Sequence, residues 1–370
     1  MQYFSTAANT VFYQQPQSFT KWDAPAILAY ALGATLYMPA SMPSIVEMVQ
    51  SRKYPNLTSF VIDLEDAVGD KEVVACEEKV VRDIRQLYTL YCGQEITAEQ
   101  LPLIFIRVRS VEQLQLLATA LGEQQKVLTG YVFPKFTATN GQAYFTVLEQ
   151  IIEQYELTLY GMPILESREI IYKESRMDAL CAVKQILQQH RERVLNVRIG
   201  ATDFCGIYGI RRQMDATIYD IGMMQDCIAD IVNVLGREED GFVISGPVWE
   251  YLHAKNTVTE GLMKEVILDK QNGLLGKTII HPSHIRIVQA LYAVSYEDYM
   301  DACDIVERND GQQGVFKSYN ANKMNEIKPH MRWAQKIMHL ARIYGVLHES
   351  VEQTALLKYE EVGESKYAEK

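Results

Sequence analysis

The feature that most constrains what this chain can fold into is an alternation. Short apolar runs recur at 34–38, 60–62, 103–108, 131–133, 157–165, 194–199, 242–245 and 276–280. Each is followed by a longer stretch with apolar residues at helical spacing, such as Val73, Val74, Val80, Val81, Ile84, Leu87 and Tyr88 within 72–91. Further helices are predicted over 43–53, from an N-cap at Ser110 to Leu121, and over 141–155, 215–235, 247–269 and 283–292. A run such as Phe60-Val61-Ile62, with no polar alternation, belongs to a strand buried on both faces. Eight strand-then-helix units over about 260 residues point to an α/β fold, a closed (β/α)8 barrel rather than an open sheet. No G-x-G-x-x-G follows the first run, which removes the main dinucleotide-binding signature. The expected organisation is an N-terminal extension (1–30), the barrel (31–295) and a helical, charged C-terminal segment (296–370).

Composition narrows the function classes. A net charge of −11 argues against a nucleic-acid partner, which needs clustered Lys and Arg to neutralise phosphates. The six cysteines are dispersed, with no C-x-x-C pair, as buried reduced thiols in a cytoplasmic protein would be. Pro25, Gly33 and Pro39 interrupt the apolar residues at 24–40, so neither a signal peptide nor a membrane span is expected.

Barrel enzymes carry their reactive groups at the C-terminal ends of the strands. Here those ends hold Asp63, Glu65 and Asp66 in F-V-I-D-L-E-D-A-V, then Arg107, Lys135, Glu166, Asp203 and His281. Glu166 and Asp203 end neighbouring strands, and two carboxylates there suit a hard cation such as Mg2+ (with Mn2+ as the alternative) that keeps open positions for a chelating substrate. The plainer reading pairs Glu166 with Arg168 and makes Asp203 a helix cap. Arg107 offers a fixed fork for a carboxylate or an enolate oxygen, and equally a partner for the Asp63/Glu65 cluster. Lys135 is read as a rim ion pair before a Schiff-base amine, and His281, in H-P-S-H, as a turn histidine before a base. Arg211 and Arg212 read as a solvated pair.

These motifs, in order, are L-Y-M-P-A, D-L-E-D-A-V, I-R-V-R, F-P-K-F, P-I-L-E-S, G-A-T-D-F and G-K-T-I-I-H-P-S-H-I, between Leu36 and Glu307. The chain thereby resembles the citrate lyase β-subunit/HpcH–HpaI aldolase family of metal-dependent carbon–carbon lyases. Its K-P-H-x-R-W-A tail is most similar to a branch found with tellurium-resistance gene clusters. The resemblance implies that Glu166 and Asp203 ligate Mg2+ and that Arg107 contacts the substrate. The acidic group at Asp63, Glu65 and Asp66 would order water at the metal, with Pro39, Arg109, Lys135 and His281 around the substrate. Relatives often carry Asn where this chain has Arg109. Lyase-type relatives supply a lid aspartate from a neighbouring subunit just ahead of a proline; here the tail reads N-E-I-K-P, which puts Ile327 at that place and Glu326 beside it.

The resulting expectation is a Mg2+-dependent lyase or aldolase acting through an enolate on an oxo- or hydroxy-acid, free or as a CoA thioester. Two rivals share the scaffold: a metal-dependent (thio)ester hydrolase, and a catalytically silent metabolite-binding barrel. Gly311, Gly314 and Asn320 to Asn325 precede an apolar-faced helix with Trp333, Ile337, Leu340 and Ile343, the pattern of a hinged lid. With the resemblance, that pattern implies a homo-oligomer, a trimer or a multiple of one, in which Glu326 or His330 reaches a neighbour's site.

Overall fold

The apolar runs form seven parallel strands: Ala34–Pro39, Ser59–Asp63, Leu103–Arg107, Gly130–Phe133, Tyr160–Leu165, Arg198–Ile199 and Lys277–Ile279. Phe60, Val61, Ile62, Ile104, Phe105 and Ile106 are wholly buried, because helices cover the outer face and side chains fill the inner one. The computed structural model describes residues 1–4, 8–43, 45–252, 256–312 and 314–358. Parts of the predicted helices over 43–53 and 247–269, of the break at 309–325 and of both chain ends therefore lie outside the described residues. The described chain separates into two compact units, one of Met1 with Thr20–Ile285 and one of Gln2–Phe19 with Arg286–Lys370.

In the first unit, strands consecutive in sequence are neighbours in space, and Ala34–Pro39 also pairs with Lys277–Ile279. The gap between Arg198–Ile199 and Lys277–Ile279 is closed by residues 243–246. Val197 bridges Ile244 and Gly246 bridges Lys277, both in parallel sense. Ser245 N donates to Val197 O at 2.9 Å and Leu275 N to Ile244 O at 2.8 Å. The fold is the α/β barrel that the alternation predicts, with one irregular stave.

Local departures have local causes. Of the run at 194–199 only Arg198–Ile199 is laddered, Val194 making a single bridge to Gly161. Of the helix predicted over 247–269, residues 247–252 are not helical, and the described helix is Asn256–Gln271. Its expected first turn is instead held open by Arg212, whose Nη2 takes the Val248 carbonyl at 2.9 Å, while Tyr251 Oη donates to Arg212 O at 2.5 Å. Arg212 is correspondingly no solvated residue. It is 2% exposed, 2.5 Å from Glu265 and stacked 4.7 Å over the buried Trp249. The helix predicted over 215–235 splits into a 3-10 turn, Ile218–Asp220, and a helix, Gly222–Leu235. Ser110 does cap Val111–Leu121, its side chain accepting from Gln113 N.

The second unit brings distant segments together. Strand Phe12–Gln14 pairs antiparallel with Val346–Leu347, and Tyr3 stacks on Tyr344 at 4.5 Å. Helices Tyr296–Glu307 and Ile327–Tyr344 pack through Ala302, Ile305 and Ala334, with Trp333 and Ile337 against them. Between them lies a hairpin, Val315–Lys317 with Met324–Glu326. Buried Asp301 ties it down, accepting from Tyr319 N at 2.7 Å and Asn325 Nδ2 at 3.0 Å and pairing with Lys323 at 2.9 Å. Among the described residues, no helix is long and apolar enough to cross a membrane.

Candidate active site

Strand register builds the site. Pro39 stands opposite Asp63, and Asp63 opposite Arg107, so three strand ends share one level. A cavity of about 620 Å3 opens there, lined by Pro39, Asp63, Asp66, Arg107, Glu166 and Asp203 together with Tyr37 and Arg198.

Arg107 is the hub of the acidic group. Its Nε and Nη2 donate to the two oxygens of Asp63 at 2.6 Å each, a bidentate pair in a buried setting. Nη1 reaches Glu65 at 3.0 Å and Asp66 at 3.2 Å. Burial opposes its charge, yet the hydrogen bonds and charge of Asp63 hold the guanidinium above the usual arginine range. Burial pushes the Glu65 carboxyl up, as does its hydrogen bond with Asp66. The Asp66 carboxyl moves down despite burial, through that same hydrogen bond and the Arg107 and Lys135 charges.

Lys135 adopts a left-handed backbone (φ 47°) that turns its amide into the barrel mouth. Its N–H donates to Glu166 Oε1 at 2.8 Å. Its ammonium pairs with Glu65 and lies 3.6 Å from Asp66 and 3.8 Å from Asp203. Burial works against that charge, but Glu65 and Asp66 raise the pKa overall, so the amine stays protonated.

Glu166 is 4% exposed, and burial, then the neighbouring Asp203, push its carboxyl up to about 8. Burial also raises Asp203. The Glu166 carboxylate lies directly against Gly200, where a Cβ would stand 2.1 Å from Oε2. Two neighbouring carboxylates at the mouth of this cavity, one of them raised partly by the other's charge, are a donor set that fits a hard divalent cation. Among the described residues no group of three or more His, Cys, Asp or Glu side chains gathers as a ligand cluster. Glu166 and Asp203 would therefore supply two ligands, with water and substrate oxygens completing the shell.

Arg109 and His281 serve the loops that carry them. Arg109 braces the loop after the Asp63 strand, its Nε and Nη2 donating to Leu64 O at 2.7 Å and Val68 O at 2.5 Å and its Nη1 to Asp70 at 2.7 Å. His281 Nδ1 meets Ser283 Oγ at 2.7 Å within its turn, while the preceding Ile280 lines the cavity. Glu326 belongs to the second unit, where it ends the hairpin and its N–H donates to His330 Nδ1 at 3.0 Å. Sequence reasoning passed over Tyr37 and Arg198. The signal was available, since Arg198 is a lone charge in an apolar run two residues before Gly200, and period-two alternation puts both on one face.

No curated protein matches the chain in sequence. Several solved structures share its fold. CitE from Mycobacterium tuberculosis, in complex with magnesium, acetoacetate and coenzyme A, is 17% identical over 85% of this chain and 99% of that one, with a TM-score of 0.56. A citrate lyase from Burkholderia xenovorans LB400 is 13% identical over 93% and 100%, with a TM-score of 0.63. A malate synthase from Haloferax volcanii, in complex with magnesium and glyoxylate, is 13% identical over 69% and 73%, with a TM-score of 0.51. At such identities the likeness speaks to the fold. The family assignment rests on residues 26–346, which match the model described as C-C bond lyase of the TIM-barrel fold. Matched over most of its length, the chain belongs to this family of carbon–carbon bond lyases.

Proposed function

We propose that the chain is a Mg2+-dependent lyase or aldolase that cleaves a small oxo- or hydroxy-acid through an enolate, in the manner of the citrate lyase β-subunit and HpcH–HpaI group. The observation that carries this reading is the pair Glu166 and Asp203, side by side in the lining of a cavity that Arg107 also borders. The magnesium and small carboxylates bound by CitE and by the malate synthase support it. A cation held there would polarise the substrate carbonyl and offset negative charge as the carbon–carbon bond breaks.

The chain's own residues supply the rest. Arg107 presents a second fixed positive charge to the enolate oxygen, worth roughly 3 kcal/mol for one well-placed donor. Glu65, set between Arg107 and Lys135 at the strand end, would exchange a proton with the cleaved fragment. Lys135 keeps Glu65 and Asp203 in place as an ammonium, and Pro39 shapes the mouth. Arg109 and His281 bear on the substrate through the loops they brace. Glu326 would complete the site from a neighbouring subunit of a homo-oligomer, a trimer or a multiple of one, in place of the lid aspartate of relatives. The chain would then fall in the branch that accompanies tellurium-resistance clusters, a placement that its K-P-H-x-R-W-A tail supports.

Titration calorimetry tests the core of this reading. Glu166→Gln and Asp203→Asn should each abolish Mg2+ binding while the circular dichroism spectrum stays intact. Wild-type Mg2+ affinity in the double variant would sink the metal assignment.

A further inference from the structure

Arg198 carries a charge that the protein leaves unanswered. It is 1% exposed and lines the cavity, one inward position deeper on its strand than Gly200. Its Nη2 donates to Thr278 Oγ1 at 2.7 Å and its Nη1 reaches Thr35 Oγ1 at 3.5 Å, so two neutral hydroxyls hold it. Its Nε has no hydrogen-bond partner among the described residues, and no described carboxylate pairs with it. The contrast within the same cavity is sharp, because Arg107 has three carboxylates around it. A guanidinium does not shed its proton, so burying one without an anion is costly and the cost must be met by something that arrives.

A second orphan stands beside it. The Tyr37 hydroxyl is buried without a partner among the described residues, and the Tyr37 ring lies between the two guanidinium groups, 5.4 Å from that of Arg198 and 5.5 Å from that of Arg107. Nε and Nη2 share one edge of a guanidinium, with the spacing of two carboxylate oxygens.

We propose that Arg198, with the Tyr37 hydroxyl, is a carboxylate-binding subsite at the base of the cavity, and that the substrate is therefore a diacid. One acid group would lie at the cation held by Glu166 and Asp203, the other on Arg198. This deepens the lyase reading and rests on the cation site it assigns. Selectivity follows from it, since a monoacid leaves Arg198 buried and unpaired while a diacid answers both charges.

Calorimetry on the full chain with Mg2+ decides it, using succinate, butyrate and 3-phosphonopropionate as probes. The wild type should bind succinate at least ~10-fold more tightly than butyrate, the scale of a charge-assisted hydrogen bond. Arg198→Gln should erase that preference without changing Mg2+ affinity. Arg198→Lys, which keeps the charge and loses the fork, should fall between the two, and Tyr37→Phe should weaken succinate alone. Equal affinity for succinate and butyrate in the wild type overturns the proposal, as does a preference that survives Arg198→Gln. Tighter binding of the phosphonate than of succinate overturns the carboxylate assignment. If Arg198→Gln fails to fold, the wild-type comparison and Tyr37→Phe still decide. Mg2+ binding that persists in Glu166→Gln removes the cation site instead, an outcome read without any acid present.

Discussion

Gly200→Ala puts the candidate metal site under the smallest available stress. A methyl group there would stand 2.1 Å from Glu166 Oε2, 2.5 Å from its Cβ and 3.0 Å from its Cδ, where ordinary contact begins at 3.4 Å. Relief requires the carboxylate to retreat by about 1.3 Å, and the close Cβ means that a rotation of the carboxylate alone does not provide it. Glu166 is also anchored by the Lys135 amide at 2.8 Å, so moving it breaks that hydrogen bond. Overpacking of this kind costs about 1–3 kcal/mol of stability. Displacing a ligand by this much should weaken Mg2+ roughly 10–100-fold, the range seen when the support of a ligand is removed. Gly206→Ala is the matched control, in the same short helix-bearing loop, exposed, with nothing within 4 Å of its Cβ. It should leave Mg2+ affinity alone and add about 0.5–1 kcal/mol of stability through helix propensity. Mg2+ titration calorimetry and urea unfolding of both variants provide the readouts. Wild-type Mg2+ affinity in a folded Gly200→Ala protein would refute the idea that cation binding depends on where Glu166 sits.

Other consequences can be measured independently. Mg2+ must displace the proton that Glu166 holds up to about 8, so apparent affinity should climb between pH 6 and 8 and level off above; a flat profile contradicts this. Asp63→Ala leaves the buried Arg107 without its bidentate partner, and chemical denaturation should show a loss of about 3–5 kcal/mol. Lys21 is buried against the Lys126 and Leu128 carbonyls, and burial, then the Lys126 charge, push it down to about 7. The unfolded chain therefore holds the extra proton between pH 7 and about 10.5, and stability should rise with pH in that window by up to ~1.4 kcal/mol per unit. Lys21→Met should remove that slope. Mixing Glu326→Gln subunits with Arg107→Ala subunits should restore partial activity if sites are shared between subunits, and none if each is self-contained.

The barrel was legible because its signals are local. Runs such as 60–62 and 103–108 have no polar alternation, and that alone marks strands buried on both faces. The rim residues were legible for a related reason, since a charge just after such a run must lie at the strand's end. What the sequence hid depends on contacts between distant residues. The loop after Gly246 reads as helix until Arg212 is seen holding the Val248 carbonyl. Arg212 itself reads as solvent-facing until Glu265 and Trp249 close over it. Arg198 was legible as a lone charge inside an apolar run, but its missing counter-charge shows only in the structure.

The pairing of Phe12–Gln14 with Val346–Leu347 has a consequence for how the protein comes into being. A ribosome extends a chain from one end, so residues 2–19 emerge early and their partners more than 300 residues later. At about 10 residues per second that is a wait of roughly half a minute, during which the barrel strands have all been made. Phe12, buried in the finished unit, lacks its partner strand throughout that interval, while Phe4 and Tyr3 can meet only neighbours such as Phe12 and Phe19. Residues 2–19 thus complete their pairing only after the barrel strands have been made, although they precede them in the chain.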